Sequence, residues 1–263
     1  MRAALAIALV LAACAAAPQP APTEPLPPKQ LPLPGERFWV DGCPAFVIPA
    51  QAPRAGAQPW LWYAPTLPPY PDRNEQWLFE QLTAAGVAIA GIDVGESYGS
   101  AAGVQHFEAL YEHLVARGWS TRPVLLGRSR GGLQQLNYAA TFPGHIGAFV
   151  GIYPVCHLRS YPGLAKAAPA YGLDEAQLTA QLAAHNPLER LAPIAAARVP
   201  MFVIHGDQDR TVPLAQNSEV LVQRYRALGG AITFEPAPGH GHDVWPGFFR
   251  SPQLLAFVLQ HAR

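Results

Sequence analysis

Val124-Leu125-Leu126-Gly127-Arg128-Ser129-Arg130-Gly131-Gly132 is an apolar run that breaks into a Gly-x-Ser-x-Gly-Gly turn and continues as a helically spaced segment to residue 141. A short apolar run bounded by glycine suits a buried strand, and apolar residues three and four apart suit a helix. A serine at the junction of the two sits on a sharp turn that lifts its hydroxyl clear of the sheet. The glycines around it are needed because side chains would collide where strand and helix approach one another. The N-terminal end of the helix behind the serine favours negative charge that develops there. Ser129 is therefore the candidate nucleophile.

A serine hydroxyl attacks only when a base takes its proton and a third group orients that base. Two segments downstream supply both. The first is Met201-Phe202-Val203-Ile204-His205-Gly206-Asp207-Gln208-Asp209-Arg210-Thr211-Val212-Pro213, a strand ending in two carboxylates. The second, Pro238-Gly239-His240-Gly241-His242-Asp243-Val244-Trp245-Pro246, lies before the last helical segment and holds two histidines, each preceded by glycine.

Serine, acid and histidine in this order, with the glycine-flanked serine between strand and helix, resemble the α/β-hydrolase superfamily over roughly residues 38–262. That resemblance implies Asp209 as the acid in preference to Asp207, which would brace its loop. It implies His242 as the base in preference to His240, because His-x-Val-Trp-Pro-Gly-Phe-Phe then leads into the final helix; His240 becomes a wall of the pocket. His205 reads as a structural histidine. The oxyanion formed in acyl transfer needs two donors. One is the backbone N–H of Arg130. The other is expected from the loop after the strand at 60–63, where Pro65, Pro68 and Pro69 have no N–H to give, leaving Thr66 or Leu67, with Thr66 preferred.

The rest of the chain fits an α/β fold with a mostly parallel central sheet. Strands are predicted at 45–48, 60–63, 87–92, 124–126, 148–152, 201–204 and 232–235, several of them apolar on both faces, as in a parallel sheet covered by helices. Helices are predicted at 74–85, 104–117, 132–141, 214–228 and 252–260. The stretch 153–198 breaks the rhythm, carries its own helix at 174–184, and reads as a small cap insertion over the site. The loop Asp93-Val94-Gly95-Glu96-Ser97-Tyr98-Gly99 follows a strand end, where α/β sheets meet ligands, so Glu96, Ser97 and Tyr98 are candidate pocket residues. Its glycine spacing is not a dinucleotide fingerprint, and no cofactor is expected. The remaining histidines show no metal-ligand spacing, and no metal is expected.

Of the 263 residues half are hydrophobic and 14% are charged, with 18 Lys plus Arg against 18 Asp plus Glu. That balance offers no electrostatic footprint for nucleic acid. Met1-Arg2 followed by the apolar run Ala3 to Ala13 has the form of an export signal, too short to span a bilayer. Its end, Leu11-Ala12-Ala13-Cys14, resembles a bacterial lipobox, which makes Cys14 the expected lipid-bearing residue of a cell-envelope lipoprotein. Cleavage near Ala15-Ala16-Ala17 is the alternative. The domains are then a signal at 1–14, a proline-rich tether at 15–35 and a hydrolase domain at 36–263. Contact with membrane is expected through the anchor alone, and a monomer is expected. Export places Cys43 and Cys156 in an oxidising compartment, where a disulfide between them is one of two outcomes.

The resemblance implies a serine hydrolase, and the expected activity is cleavage of carboxylic esters, the substrate being a small-molecule or carbohydrate ester. A prolyl-oligopeptidase-like peptidase is the second expectation, and a non-catalytic lipid-anchored binding protein the third. Arg128 and Arg130 depart from the superfamily pattern, since neighbours of the serine are more often neutral. They point either to an anionic or polyhydroxylated substrate, as in glucuronoyl esterases with an arginine after the serine, or to structural ion pairs with Asp93 or Glu96. The expected substrate-binding residues are Arg128, Glu96, Tyr98, His240 and Trp245.

Overall fold

The computed structural model of the protein describes residues 24–52 and 55–263. The expected export signal, Cys14 and the first part of the proline-rich stretch lie outside the described residues. Eight strands form one sheet in the order β1-β2-β4-β3-β5-β6-β7-β8. They are β1 (Glu36–Val40), β2 (Cys43–Ile48), β3 (Trp60–Ala64), β4 (Ala88–Ile92), β5 (Val124–Arg128), β6 (Ala148–Ile152), β7 (Met201–Gly206) and β8 (Ile232–Ala237). β2 runs antiparallel to both its neighbours, and all pairings from β4 to β8 are parallel. β3, β4, β5 and β6 are buried along their whole lengths.

The pleat sorts side chains to two faces. Trp60, Trp62 and Ala64 of β3 and Leu125 of β5 point into one core, while Leu61, Tyr63, Val124 and Leu126 point into the other. The first core is covered by α2 (Ala101–Val115), α3 (Gly131–Thr141), α7 (Ala192–Ala196) and α8 (Ser218–Ala227). The second is covered by α1 (Gln76–Ala84), α9 (Pro246–Phe249) and α10 (Pro252–His261). This is the mostly parallel sheet flanked by helices that the sequence leads one to expect. Between β6 and β7 lie three further short helices, α4 (Leu164–Ala167), α5 (Glu175–Ala180) and α6 (Leu182–His185). Leu158, Leu164, Ala167 and Leu178 of this segment pack on Tyr98, Leu133 and Val212 as a third apolar cluster.

Three local expectations differ from the structure. The strand β1 is not among the predicted strands, although Asp41-Gly42 at its end is a hairpin signal; both residues have positive φ (48° and 73°), as a two-residue type I′ turn requires. The helix predicted at 174–184 is two helices, interrupted at Gln181. The proline-rich stretch is laid on the domain from Glu24 onward. Leu31 and Leu33 pack against the second core, and Gly35 lies so close to β2 that a Cβ there would stand 2.5 Å from the Val47 carbonyl oxygen. Cys43 and Cys156 are both free thiols. β2 and β6 are separated by β4, β3 and β5, which at about 4.8 Å per strand spacing puts the cysteines far beyond bridging distance.

Trp62 sits at the centre of the first core, its ring 5.0 Å from that of Trp60, 5.3 Å from Phe107 and 4.8 Å from Tyr138. Its indole nitrogen is buried without a hydrogen-bond partner. Trp62→Ala should therefore cost about 3–5 kcal/mol in urea denaturation. Trp62→Phe should cost markedly less, because it keeps much of the ring volume and removes the orphan donor.

Candidate active site

Ser129 leaves β5 at φ 51°, in the left-handed region that costs a side-chain-bearing residue energy. The turn is pinned from both sides. The Ser129 N–H donates to the Ile152 carbonyl at 3.0 Å, and the Ser129 carbonyl accepts from Gly132 at 2.9 Å and Val155 at 2.8 Å. Gly131 is required by close approach: a Cβ there would stand 2.1 Å from the Ala64 carbonyl oxygen of β3. With Ala64 paired to Gly127 across the sheet, the helix α3 can start only if this position has no side chain.

The structure brings Ser129, His242 and Asp209 into one line. Ser129 Oγ lies 2.9 Å from His242 Nε2, and His242 Nδ1 lies 2.7 Å from Asp209 Oδ2. Asp209 is held by four donors. Its Oδ1 accepts from the backbone N–H of Thr211 (2.9 Å) and Val212 (2.7 Å), and its Oδ2 accepts from His205 Nε2 (3.2 Å) as well as from His242. Burial pushes the Asp209 carboxyl up, but the hydrogen bonds from His205, His242 and Val212 outweigh it and hold its pKa well below the usual carboxylate range. The Nε2 of His205 also meets the Val212 carbonyl at 2.9 Å, an atom that only accepts, so Nε2 carries a proton; Nδ1 is hydrogen-bonded with the Ser218 hydroxyl at 2.7 Å. His205 thus orients the acid.

Asp207 holds the two loops together instead of touching the base. Its Oδ1 accepts from the Gly239 N–H at 2.7 Å, and Gln208 N–H donates to the His240 carbonyl at 2.9 Å. His240 stacks on Trp245 with ring centroids 4.0 Å apart, beside Asp243 at 3.6 Å.

A cavity of about 200 Å³ opens at Ser129, lined by Pro65, Tyr70, Arg128, Arg130, Tyr153, Tyr161, Thr211, His242, Asp243 and Val244. Glu96, Tyr98, His240 and Trp245 are not part of this lining. Tyr98 is packed under the short helices that follow β6, and Glu96 accepts from Arg130. The N–H of Arg130 opens the first turn of α3 beside the nucleophile. Thr66 is buried with its hydroxyl turned to the Tyr63 carbonyl, and it does not reach the cavity. From that loop Pro65, which has no N–H, and Tyr70 line the cavity, and the Tyr70 N–H is spent on the Leu67 carbonyl at 2.7 Å.

Arg128 lines the cavity but is bound within the protein. Its guanidinium donates to Glu75 Oε1 at 2.7 Å, Asp72 Oδ2 at 3.2 Å and the Tyr153 hydroxyl at 3.2 Å, and lies between the rings of Tyr70 (4.7 Å) and Phe249 (4.8 Å). Glu75 is fully buried, and also accepts from the Tyr63 hydroxyl and the Asp72 N–H. Burial raises the Glu75 pKa, with Arg128 opposing it. The partners of Arg128 are thus Asp72 and Glu75, not Asp93 or Glu96, because the chain after β3 lies over the neighbouring strand β5 whereas Asp93 follows β4 one strand further out. Tyr70, Tyr153 and Tyr161 had no motif to announce them. Tyr153 directly follows β6, the neighbour of β5, and its ring lies 4.4 Å from that of His242; a strand-end position was the signal that could have found it.

Among the described residues no group of three His, Cys, Asp or Glu is placed to hold a metal ion, and no helix is long and apolar enough to cross a membrane.

Solved structures similar to this chain include both peptidases and esterases. Porphyromonas gingivalis dipeptidyl peptidase 4 is 14% identical with a TM-score of 0.68, over 87% of this chain and 35% of that one. A Mycobacterium tuberculosis puromycin-hydrolyzing peptidase is 17% identical with a TM-score of 0.66, over 87% of this chain and 40% of that one. Est1E from Butyrivibrio proteoclasticus is 18% identical with a TM-score of 0.65, over 86% of this chain and 98% of that one. The chain thus spans well under half the length of these two peptidases. No curated protein matches it in sequence. A sequence model of the prolyl oligopeptidase family matches residues 96–262, which is more than half of the 263 residues and contains Ser129, Asp209 and His242; the chain belongs to the prolyl oligopeptidase family of serine hydrolases.

Proposed function

We propose that this serine hydrolase cleaves carboxylic esters with a short acyl part through a covalent acyl-Ser129 intermediate. The observation that carries the reading is the cavity of about 200 Å³ against Ser129, walled by Tyr70, Tyr153 and Tyr161. That volume is below the roughly 300–1,000 Å³ of typical ligand pockets and suits a small group better than a side chain flanked by peptide.

The steps follow from the geometry. His242 Nε2 takes the Ser129 hydroxyl proton as Oγ bonds to the ester carbonyl carbon, and the carbonyl π pair moves to oxygen. Asp209 keeps the Nδ1 proton in place and stabilises the imidazolium. In this reading the Arg130 N–H and the phenol of Tyr70, which lines the cavity, are the donors to the oxyanion. As the carbonyl reforms, the C–O bond to the alcohol breaks and His242 returns its proton to the leaving oxygen. Water then repeats the sequence on the acyl enzyme, releasing the acid. The second reading, a peptidase, is favoured by the family match itself; the chemistry at Ser129 is shared and only the leaving group differs.

The Leu-Ala-Ala-Cys signature supports a further proposal, that Cys14 carries lipid and anchors the enzyme to a bacterial cell envelope. Mass spectrometry of the mature N-terminus checks it: a diacylglyceryl-modified Cys14 supports it, and an unmodified terminus after Ala17 replaces it with secretion.

Purified protein should hydrolyse aryl acetates or acetylated sugars in preference to methyl-esterified sugars, whose acyl part is the sugar acid, and leave aminoacyl anilides intact; a preference for the anilides would install the peptidase reading. Ser129→Ala should lower kcat/KM on an aryl acetate by on the order of 10⁴-fold or more with an unchanged melting temperature. A fluorophosphonate should label Ser129 alone. His242→Ala should be inactive, whereas His240→Ala should keep kcat, because His240 does not line the cavity; an active His242→Ala enzyme would move the base.

A further inference from the structure

The loop that brings Pro65 and Tyr70 to the cavity is held from outside the hydrolase core. Lys29, in the proline-rich stretch, sends its ammonium to two carbonyl oxygens of that loop, Thr66 at 2.7 Å and Leu67 at 2.9 Å. The Leu67 oxygen also accepts the Tyr70 N–H at 2.7 Å. A single oxygen thus links Lys29 to Tyr70, which lines the cavity at Ser129. The stretch that carries Lys29 is itself fixed. Arg37 donates to the Pro27 carbonyl, Trp39 Nε1 donates to the Glu24 carbonyl at 3.1 Å, and Leu31 and Leu33 are packed on the core.

We infer that Lys29 is a positioning residue of the active site, setting the Thr66–Tyr70 loop so that the Tyr70 hydroxyl meets the oxyanion. The inference rests on the reading of Ser129, His242 and Asp209 as the catalytic triad and of Tyr70 as a donor. The loop is proline-rich, so few of its own amides can tie it down: Pro65, Pro68, Pro69 and Pro71 have no N–H. A charged donor makes hydrogen bonds about twice as strong as a neutral one, and here it bridges two successive carbonyls. Burial lowers the Lys29 pKa to about 8, with Asp93 opposing it, so the donor to the two carbonyls is charged below that pH. The contact also lies wholly outside the matched residues 96–262, so it is a property of this chain that the family match does not cover.

The test uses the full chain with Lys29→Met, which keeps the stem and removes the donor, and Lys29→Arg, which keeps a charged donor. An aryl acetate gives kcat and KM, and hydrogen–deuterium exchange reads the amides of residues 66–72. The expected result for Lys29→Met is a kcat lowered roughly tenfold or more, short of the ~10²–10³ lost when an oxyanion donor is removed outright, with KM within twofold. Exchange should rise at 66–72 and stay unchanged in β5 and α3. Lys29→Arg should recover most of kcat. An unchanged kcat in Lys29→Met, or a loss of kcat with unchanged exchange at 66–72, overturns the inference. Should Lys29→Met not fold, Lys29→Gln, with a neutral donor, is judged by the same criteria. The exchange readout needs no substrate, so a wild type inactive on every ester and unlabelled at Ser129 would sink the enzyme reading while the clamp is still judged by exchange.

Discussion

A side-chain-bearing residue held at φ 51° is the constraint on which the active end of this sheet depends. Such a backbone costs on the order of 1–3 kcal/mol, and it persists because the surroundings leave Ser129 nowhere else to go. β6 holds it through the Ile152 carbonyl and the Val155 N–H. β3 closes in on Gly131 from the other side. Beneath it Arg128, the last residue of β5, is fixed by Glu75, Asp72 and Tyr153. Each partner comes from the segment after a strand adjacent to β5, so the strain is balanced by tertiary structure and not by local sequence.

The buried Arg128–Glu75 pair is better understood as geometry than as stability. Desolvating both charges offsets most of their attraction, and a buried ion pair is weak evidence of net stabilisation. What it fixes is direction: the guanidinium holds the Tyr70 and Phe249 rings and the Tyr153 hydroxyl around itself, next to the nucleophile. His205 plays the same part for the acid, holding the Asp209 oxygen that faces His242. In both places a charged catalytic or near-catalytic group is surrounded by donors that arrive already oriented, so little reorganisation is left for the reaction itself.

The parts of this arrangement that are local in the chain were legible in the sequence. The elbow around Ser129, the order of nucleophile, acid and base, and the central strands all follow from patterns within a dozen residues. What was not legible depends on strand order. Arg128 takes Asp72 and Glu75 as partners because β3, not β4, lies beside β5, and no spacing in the sequence states that. The same holds for the tyrosine walls of the cavity, which converge from the segments after β3 and β6, and for Thr66, which the loop folds inward, away from the cavity. Residues 24–35 were expected to be only a tether for a different reason. Their prolines argue against helix and sheet, but an extended chain can still lie against a core, and Leu31, Leu33 and Lys29 give it the means.

Nucleophile and base are 113 residues apart, and the acid and base stand on loops at the ends of β7 and β8, the last two strands to be made. At synthesis rates of about 5–20 residues per second, roughly 6–23 s separate the emergence of the two groups. During that interval the chain already owns a serine on a strand-to-helix turn, yet no imidazole can take its proton. In the proposed reading Ser129 therefore has no base until the far edge of the sheet is in place, so the chemistry waits on the strands that are made last.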